Sequence, residues 1–438
     1  MKIGVVGSGG REAAIVWKLA QDERVEEIVA LPGNGGIAEL ATCVDVEATD
    51  IPGVVNVAKE RALDLVIVTP DDPLVLGMVD ALNHEGIATF GPTKAAAQLE
   101  GSKAYAKEFM QKYNIPTAAF RVFSDEEEAL AYAETCPVPT VVKASGLALG
   151  KGVIICKTRE EITRAIHHMM SEAAFGSSGK TIVIEEYIEG PEISVLAFSD
   201  GESIKPLISS MDHKRAFDND EGPNTGGMGC IAPNPFYTKD VARRCMEDIF
   251  LPTIEGCQAE GHPFHGCLFF GLMLTADGPK VLEYNCRFGD PETQTVLPLL
   301  QSNLLDIMLA TERGDLEKVA AENSSDASCC VVIASKGYPV AYEKGFPITL
   351  PQTSPAEELF VAGAAAGVEA VAAAGPATDA QHNELVTNGG RVINAVAQAP
   401  SLEAAINKAY ALAEQVRFDG ATMRHDIGKR ALGANQSS

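Results

Sequence analysis

Short apolar runs separated by amphipathic stretches set the rhythm of the first third of the chain. Ile3 to Val6, Ile28 to Leu31 and Leu65 to Val68 have the length of buried strands, while Arg11 to Gln21 and Val75 to His84 repeat apolar residues at helical spacing. The alternation predicts a parallel α/β unit over residues 1–101, with ligands at the carboxyl ends of its strands. Those ends read Gly7-Ser8-Gly9-Gly10-Arg11-Glu12, Pro32-Gly33-Asn34 and Thr69-Pro70-Asp71-Asp72-Pro73.

From Ser102-Lys103 the pattern changes to mixed strands and helices, predicting an α+β region over 102–326. A helix should run to Tyr113 before the turn Asn114-Ile115-Pro116, and Asp200-Gly201 should join the strands Glu192 to Phe198 and Ile204 to Leu207 as a hairpin. Three glycine-rich stretches interrupt this region: Gly146 to Gly152, Gly222 to Gly229, and the turn Arg287-Phe288-Gly289-Asp290. A smaller α+β region over 327–438 opens with the buried run Cys329 to Ala334 and contains a helix, Leu402 to Val416, capped by Ser401. Within it, residues 356–380 hold 11 alanines with scattered glycines and predict a poorly ordered surface loop.

Charge then excludes some partners. With 60 acidic against 35 basic residues in 438, the net charge of −25 is the wrong sign for wrapping a nucleic acid or an anionic membrane. A small anionic ligand is still allowed, since one lysine at ~4 Å is worth roughly 4 kcal/mol at an effective dielectric of 20. The ten cysteines form no C-x-x-C pair and read as buried reduced thiols. No apolar signal core follows Met1, so a cytoplasmic location is expected.

Four constellations carry chemistry. After the first strand, Glu12 stands where a dinucleotide fingerprint needs its third glycine, and Pro32-Gly33-Asn34 replaces the ribose-binding acid. Gly9 and Gly10 still allow a phosphate to approach a helix N-terminus with Arg11 as countercharge, although a tight turn alone would use the same glycines. In Val141 to Val153, Lys143 and Lys151 flank a loop holding Gly150 and Gly152; the spacing lets one lysine sit on a strand while the other rides a lid over phosphates. A surface turn would explain the glycines but not a lysine on a valine-rich strand. The buried strand from Ile182 ends in Glu185, Glu186, Tyr187 and Ile188, with Glu192 beyond; carboxylates there can accept from an adenine amino group or ribose hydroxyls while backbone groups read the ring edge. Glu283 and Asn285, two apart on a strand, share a face, and an all-oxygen pair favours magnesium or manganese over zinc. The charged run Met211 to Arg215 and the amide-rich run Gly222 to Gly229 would each read as a solvated surface if they stood alone.

Together these residues resemble the glycinamide ribonucleotide synthetase (phosphoribosylamine–glycine ligase) family of ATP-grasp enzymes, over residues 2 to about 432. The specific matches are R-F-G-D-P-E-x-Q at 287–294, G-P-N-T-G-G-M-G at 222–229, D-H-K-R at 212–215 and V-T-N-G-G-R-V at 386–392. The resemblance implies a multidomain α/β and α+β protein: an N-terminal parallel α/β domain, an ATP-grasp body with a small lid subdomain at about 118–190, and a C-terminal α+β domain. It implies ATP phosphates against Lys103, Lys143 and Lys151, adenine against Glu185 and the 186–188 backbone, ribose on Glu192, and Mg2+ (or Mn2+) on Glu283 and Asn285. Arg287, Asp290 and Asp212 would surround glycine, with Lys214, Thr225, Gly226 and Gly227 nearby, and 5-phosphoribosylamine would lie against Gly9, Gly10, Arg11, Glu12, Asn34, Pro70 and Asp71.

Ligation through a glycyl phosphate is the implied reaction, in a monomer, with a dimer as the alternative. The chain departs from the family pattern at Ala13 for histidine, Thr69-Pro70-Asp71 for Gly-Pro-Glu, Met211 for glutamine, Val361-Ala362-Gly363-Ala364 for H-A-G-T, and Ser145 for an occasional aspartate. Two other readings compete: an ATP-grasp carboxylase or carboxylate–amine ligase with a different acceptor, and a catalytically impaired ATP-binding relative.

Overall fold

The computed structural model describes residues 1–148, 152–172, 175–367 and 385–435. Strands β1 (Lys2–Gly7), β2 (Glu27–Pro32), β3 (Thr42–Cys43), β4 (Leu65–Val68) and β5 (Thr89–Phe90) form a parallel sheet in the order β3-β2-β1-β4-β5. The chain winds outward in both directions from β1, which opens a crevice above the carboxyl ends of β1 and β4. Helices Gly10–Leu19 and Asp71–Leu76 start there and bring Arg11 and Asp71 to it. The first helix stops two residues short of the predicted Gln21. The predicted helix over 75–84 is instead two, because Gly77, at φ 99°, ends Asp71–Leu76 in the left-handed region before Met78–His84 begins.

Next, β6 (Phe120–Phe123), β7 (Thr140–Ala144), β8 (Val153–Cys156) and β9 (Ile182–Glu186) form an antiparallel sheet of their own in the order β6-β9-β7-β8. Val142, Ala144, Ile182 and Ile184 pack on Ile162 and Ile166 of helix Arg159–Met170, so this unit has a separate small core. β10 (Glu192–Asp200) and β11 (Ile204–Pro206) form the predicted hairpin. Beyond it come β12 (Met211–Asp212), the ribbon of β13 (Arg215–Phe217) and β14 (Glu221–Asn224), and β15 (Gly229–Ala232). β16 (His265–Thr275) and β17 (Gly278–Asn285) complete a second antiparallel sheet, β11-β10-β16-β17, whose Phe270, Leu272 and Val281 belong to one core with Val66, Val68 and Leu82 of the first region and with Phe250, the ring that Phe270 meets at 4.3 Å.

The last region contributes β18 (Ala327–Ser335), β19 (Pro347–Ile348), β20 (Glu357–Val361), β21 (Ala364–Ala366), β22 (Leu385–Thr387), β23 (Arg391–Ala399) and β24 (Ala421–Thr422). Its main sheet runs β12-β15-β18-β23-β20, so two strands of the middle region are built into it. Helix Leu402–Ala413 packs on this sheet through Ala405, Ala409 and Leu412, and Ser401 Oγ accepts from Ala404 N at 3.3 Å as predicted.

The alanine-rich stretch departs from the expected loop: where described, residues 357–361 and 364–366 are strands. Small side chains permit this, since Gly35 N donates to Ala364 O at 3.2 Å and a Cβ on Gly35 would lie 3.0 Å from Ala365 C. The remainder of that expectation, residues 368–380, lies outside the described residues. All ten cysteines are free, and nine are buried; Cys43, on the short edge strand β3, is exposed, against expectation. No described helix is long and apolar enough to cross a membrane.

Candidate active site

The three regions meet around a cleft of about 1060 Å³. One wall is the inner face of the small sheet. Because strand residues alternate, Val142 and Ala144 point into that unit's core while Val141 and Lys143 face the cleft. Lys143 Nζ pairs with Glu185 on β9 and donates to Leu282 O at 3.2 Å. Glu185 also meets Lys107 Nζ at 2.5 Å, and Lys107 donates to Thr117 Oγ1 at 2.7 Å. Burial acts most strongly on Glu185 and would raise its pKa, yet Lys143 and Lys107 together hold it below the usual carboxylate range. Burial lowers Lys107 to about 8 despite Glu185, and lowers Lys103 as well. Lys103 Nζ donates to Gly146 O at 3.3 Å. Gly152, Glu186, Tyr187, Ile188 and Glu192 line the same end of the cleft. Gly150 and Lys151 lie outside the described residues.

Opposite, β17 presents Glu283 and Asn285 to the cleft, while Tyr284 between them points inward, its hydroxyl 2.9 Å from Thr253 Oγ1. Lys214 Nζ donates to Glu283 Oε1 at 3.1 Å, and that lysine, ahead of burial, holds Glu283 down to about 2. Asn285 Nδ2 donates to Tyr284 O at 2.8 Å, which leaves its Oδ1 as the acceptor of the amide. In the turn that follows, Arg287 Nη2 meets Glu100 Oε1 at 3.2 Å while Glu100 Oε2 accepts from Cys286 N at 2.7 Å. Burial raises Glu100 to about 7 against the pull of Arg287. Asp290 Oδ1 accepts from Gln294 Nε2 at 2.7 Å and meets Arg391 Nη2 at 3.3 Å. Asp212 and Glu292 are both pushed up, by burial first; Glu292 adds to the shift at Asp212, which lies well above its ordinary range.

On the N-terminal side Arg11 and Asp71 line the cleft, together with Thr225 and Gly226, while Gly9, Gly10, Glu12, Asn34, Pro70 and Gly227 are not among its lining residues. Glu12 is turned inward: it accepts from Gly9 N at 2.5 Å, pairs with Arg11 at 2.6 Å and lies 2.5 Å from Thr69 Oγ1. Gly10 is required by space, since a Cβ there would sit 2.3 Å from Asn394 Nδ2. Asn34 spends its whole amide on the backbone: Nδ2 donates to Ser8 O at 2.8 Å and Val361 O at 2.9 Å, and Oδ1 accepts from Gly36 and Ile37 N, each at 2.9 Å. Gly227, at φ 117°, packs so that a Cβ would meet Pro291 Cδ at 2.4 Å and Asp212 Oδ1 at 2.6 Å. Thr225 Oγ1 donates to Lys214 O at 2.9 Å, which fixes that loop against the lysine. Among the departures noted above, Met211 lines the cleft, Ala13 is buried, and Ser145 Oγ accepts from Ala104 N at 3.1 Å.

Sequence reasoning missed Lys107, Glu100, Glu292 and Arg391. Lys107 had a signal, four residues after Lys103 and hence on the same helix face, and Arg391 sits in the V-T-N-G-G-R-V motif. Arg391 Nη1 donates to Gly226 O and to Asp290 O, each at 2.8 Å, and thereby clasps two loops that line the cleft.

Three family models match the chain, described as the N domain of phosphoribosylglycinamide synthetase over residues 1–100, its ATP-grasp (A) domain over 101–293 and its C domain over 328–430. A phosphoribosylamine–glycine ligase from Vibrio parahaemolyticus is 46% identical over 441 residues, covering 100% of both chains. One from Halalkalibacterium halodurans is 45% identical over 433 residues, covering 99% of this chain and 97% of the relative. The crystal structure of the phosphoribosylamine–glycine ligase from Thermotoga maritima superposes with a TM-score of 0.81 at 35% identity, covering 97% of this chain and 100% of that one. A biotin carboxylase from Campylobacter jejuni shares the fold, with a TM-score of 0.74 at 15% identity over 96% of this chain and 92% of that one.

Proposed function

The chain belongs to the phosphoribosylglycinamide synthetase family, and from that premise we propose how its cleft divides the work of joining glycine to 5-phosphoribosylamine. It is an ATP-dependent ligase of purine biosynthesis. The observation that carries the division is the pair of facing walls: Lys103 and Lys143 on one side, Glu283 and Asn285 on the other, with Arg287 and Asp290 at the end of the second wall. Phosphoryl transfer demands mainly positioning and charge neutralisation, which such walls supply.

Lys103 and Lys143 neutralise the nucleotide phosphates, a role we extend to Gly150, Lys151 and Gly152 from the sequence. Glu186, Tyr187 and Ile188 receive adenine through their backbone, Glu192 holds the ribose, and Glu185 acts by holding Lys143 and Lys107 in place. Glu283 and Asn285 offer hard oxygen donors suited to Mg2+ (or Mn2+). Two protein donors would fill only part of a magnesium shell, which ordinarily takes phosphate oxygens and water as well. When bound, that ion supplies Lewis-acid charge neutralisation. Arg287, steadied by Glu100, takes the glycine carboxylate, with Asp212, Asp290 and Lys214 around it. Arg11 and Asp71 face phosphoribosylamine. Gly9, Gly10, Glu12, Asn34 and Pro70 shape the loops behind them, and Thr225, Gly226 and Gly227 close the other side. Glycine is activated as glycyl phosphate, which the amine then attacks.

We place the enzyme in the cytoplasm as a monomer whose partners are small molecules. An ADP-release assay with glycine alone, fresh phosphoribosylamine alone and both together tests the reaction: sustained release should need both. Sustained release with neither amine nor glycine would reduce the cleft to an ATPase.

A further inference from the structure

In the D-H-K-R turn, Asp212 and Lys214 have a place in the reaction above, but His213 and Arg215 have none. The structure ties both to one distant segment. Arg424 is 2% exposed, the largest fully buried side chain among the described residues. Its guanidinium grips Asp426 with two parallel bonds, Nε to Oδ1 at 2.8 Å and Nη2 to Oδ2 at 2.9 Å, and its Nη1 donates to Arg215 O at 3.1 Å and to Asp220 Oδ1 at 2.9 Å. The neighbours of Arg424 repeat the contact. His425 N donates to Asp218 Oδ1 at 2.7 Å, and Asp426 Oδ2 accepts from Asn219 N at 2.8 Å. Asn219 and Asp220, at φ 60° and 54°, stand in the left-handed region that Asn and Asp enter more readily than other side chains, and the segment bonds the backbone N–H of the one and the carboxylate of the other.

The second tie is His213, which is buried. Its Nδ1 lies 3.2 Å from Gly229 O, and its Nε2 lies 3.1 Å from Gly428 N. A carbonyl only accepts and an amide N–H only donates, so the ring carries its proton on Nδ1 and is neutral. Burial, reinforced by Arg424, lowers its pKa to about 4, which keeps it neutral at working pH. Tyr410 anchors the segment from the helix Leu402–Ala413, its OH donating to Arg424 O at 3.0 Å and accepting from Ile427 N at 2.9 Å. At the far end Arg430 Nη2 donates to Gly190 O at 3.2 Å, just past the residues assigned to adenine.

From these contacts we infer that residues 424–430 are a strap that fixes the D-H-K-R turn, with Arg424 and His213 as positioning residues for Lys214. The strap reaches Lys214 from both sides along the chain, through His213 before it and the carbonyl of Arg215 after it. Lys214 then meets Glu283 across the cleft at 3.1 Å. A rigid turn matters because a misplacement of ~1 Å at a reacting group can cost on the order of 100-fold in rate.

The inference rests on Lys214 acting in the reaction, and a double-mutant cycle separates the two ideas. Arg424→Gln, Lys214→Ala and the double variant are compared for kcat, for KM of ATP and glycine, and for melting temperature. Arg424→Gln should lower kcat by about 10- to 100-fold in folded protein, and in the Lys214→Ala background it should lower kcat by no more than about threefold. His213→Gln, which keeps one donor and one acceptor, should retain more activity than His213→Leu. Asp220, whose side chain is 61% exposed, gives a variant that will fold if Arg424→Gln does not; Asp220→Asn should show the same non-additivity with Lys214→Ala at smaller size. Effects on kcat that simply multiply would overturn the strap, leaving Arg424 a matter of stability alone. An unchanged kcat in Lys214→Ala by itself would overturn the role of Lys214 and the strap with it.

Discussion

Lys107 Nζ lies 2.5 Å from Glu185 Oε2 beneath the nucleotide end of the cleft, each side chain 3% exposed, and Lys143 pairs with the other oxygen of the same carboxylate. Two buried cations thus share one buried anion. Removing Lys107 leaves Glu185 a partner, whereas removing the charge of Glu185 strands both lysines. Lys107→Met should therefore cost less stability than Glu185→Gln, for which about 3–5 kcal/mol is expected from an uncompensated buried charge. Chemical denaturation of the two variants checks the order; equal losses would mean that the three groups do not act as one unit.

The same lysine predicts a pH dependence. Burial, outweighing Glu185, lowers Lys107 from its ordinary 10.5 to about 8. Between those values the unfolded chain binds more protons than the folded one, so the contribution of Lys107 to stability rises with pH across that window. Below pH 8 the cost of burying its charge is complete. The unfolding free energy of the natural protein, taken relative to Lys107→Met, should climb by up to about 3 kcal/mol between pH 8 and pH 10.5. A flat difference would show that the ammonium group is not held out of water.

Residues that act from one continuous stretch were legible before the structure. Lys143 on a valine strand and Glu283 with Asn285 on another could be placed by period alone, and both face the cleft. What period cannot show is which distant groups answer them. Glu100 and Arg287 are 187 positions apart, and Arg391 reaches Asp290 from a strand of the last region. The sheet crossing was hidden for a related reason: β12 and β15 are two and four residues long, too short to announce which sheet they join. Asn34 shows another limit of period: its place at a strand end marks it as a polar candidate, but only the structure shows that both ends of its amide bond backbone.

Asn34 and Asp71 should consequently fail in different ways. Asn34→Ala removes the partner of the Ser8 and Val361 carbonyls and of the Gly36 and Ile37 amides, so it should lower stability by about 1–3 kcal/mol while the KM for phosphoribosylamine moves little. Asp71 faces the cleft, and Asp71→Ala should raise that KM with little change in melting temperature. Steady-state kinetics beside thermal melts resolve the split, and a reversal of the pattern would put Asn34 on the substrate.

Glu283 makes a separate prediction about the metal. Its carboxylate is held ionised by Lys214, and Glu283→Gln keeps the shape while removing the charge. The magnesium concentration giving half-maximal rate should rise at least about tenfold, since one of few anionic protein donors is lost. An unchanged midpoint would remove Glu283 from the metal site and leave it only the role of pairing Lys214.

The order of events at glycine can be read from an isotope. A carboxylate is a poor electrophile because an oxide-like oxygen leaves badly, so ATP must first turn it into an acyl phosphate. Arg287, held by Glu100 at 3.2 Å, can fix the carboxylate with one oxygen toward the phosphorus, and the lysines across the cleft offset the charge of the transferring group. Exclusion of water then protects the acyl phosphate until the amine attacks its carbonyl carbon. That attack expels phosphate, and the oxygen that bridged carbon and phosphorus leaves with the phosphate. Glycine labelled with oxygen-18 in both carboxylate positions should accordingly deliver one labelled oxygen to each phosphate released, measured by mass spectrometry. In Arg287→Lys the single charge without the planar fork should lower the rate by about 10- to 100-fold yet leave the label transfer intact, because the guanidinium positions the carboxylate and does not choose which bond breaks. Unlabelled phosphate from a productive reaction would mean that activation does not pass through oxygen–phosphorus bond formation at the glycine carboxylate.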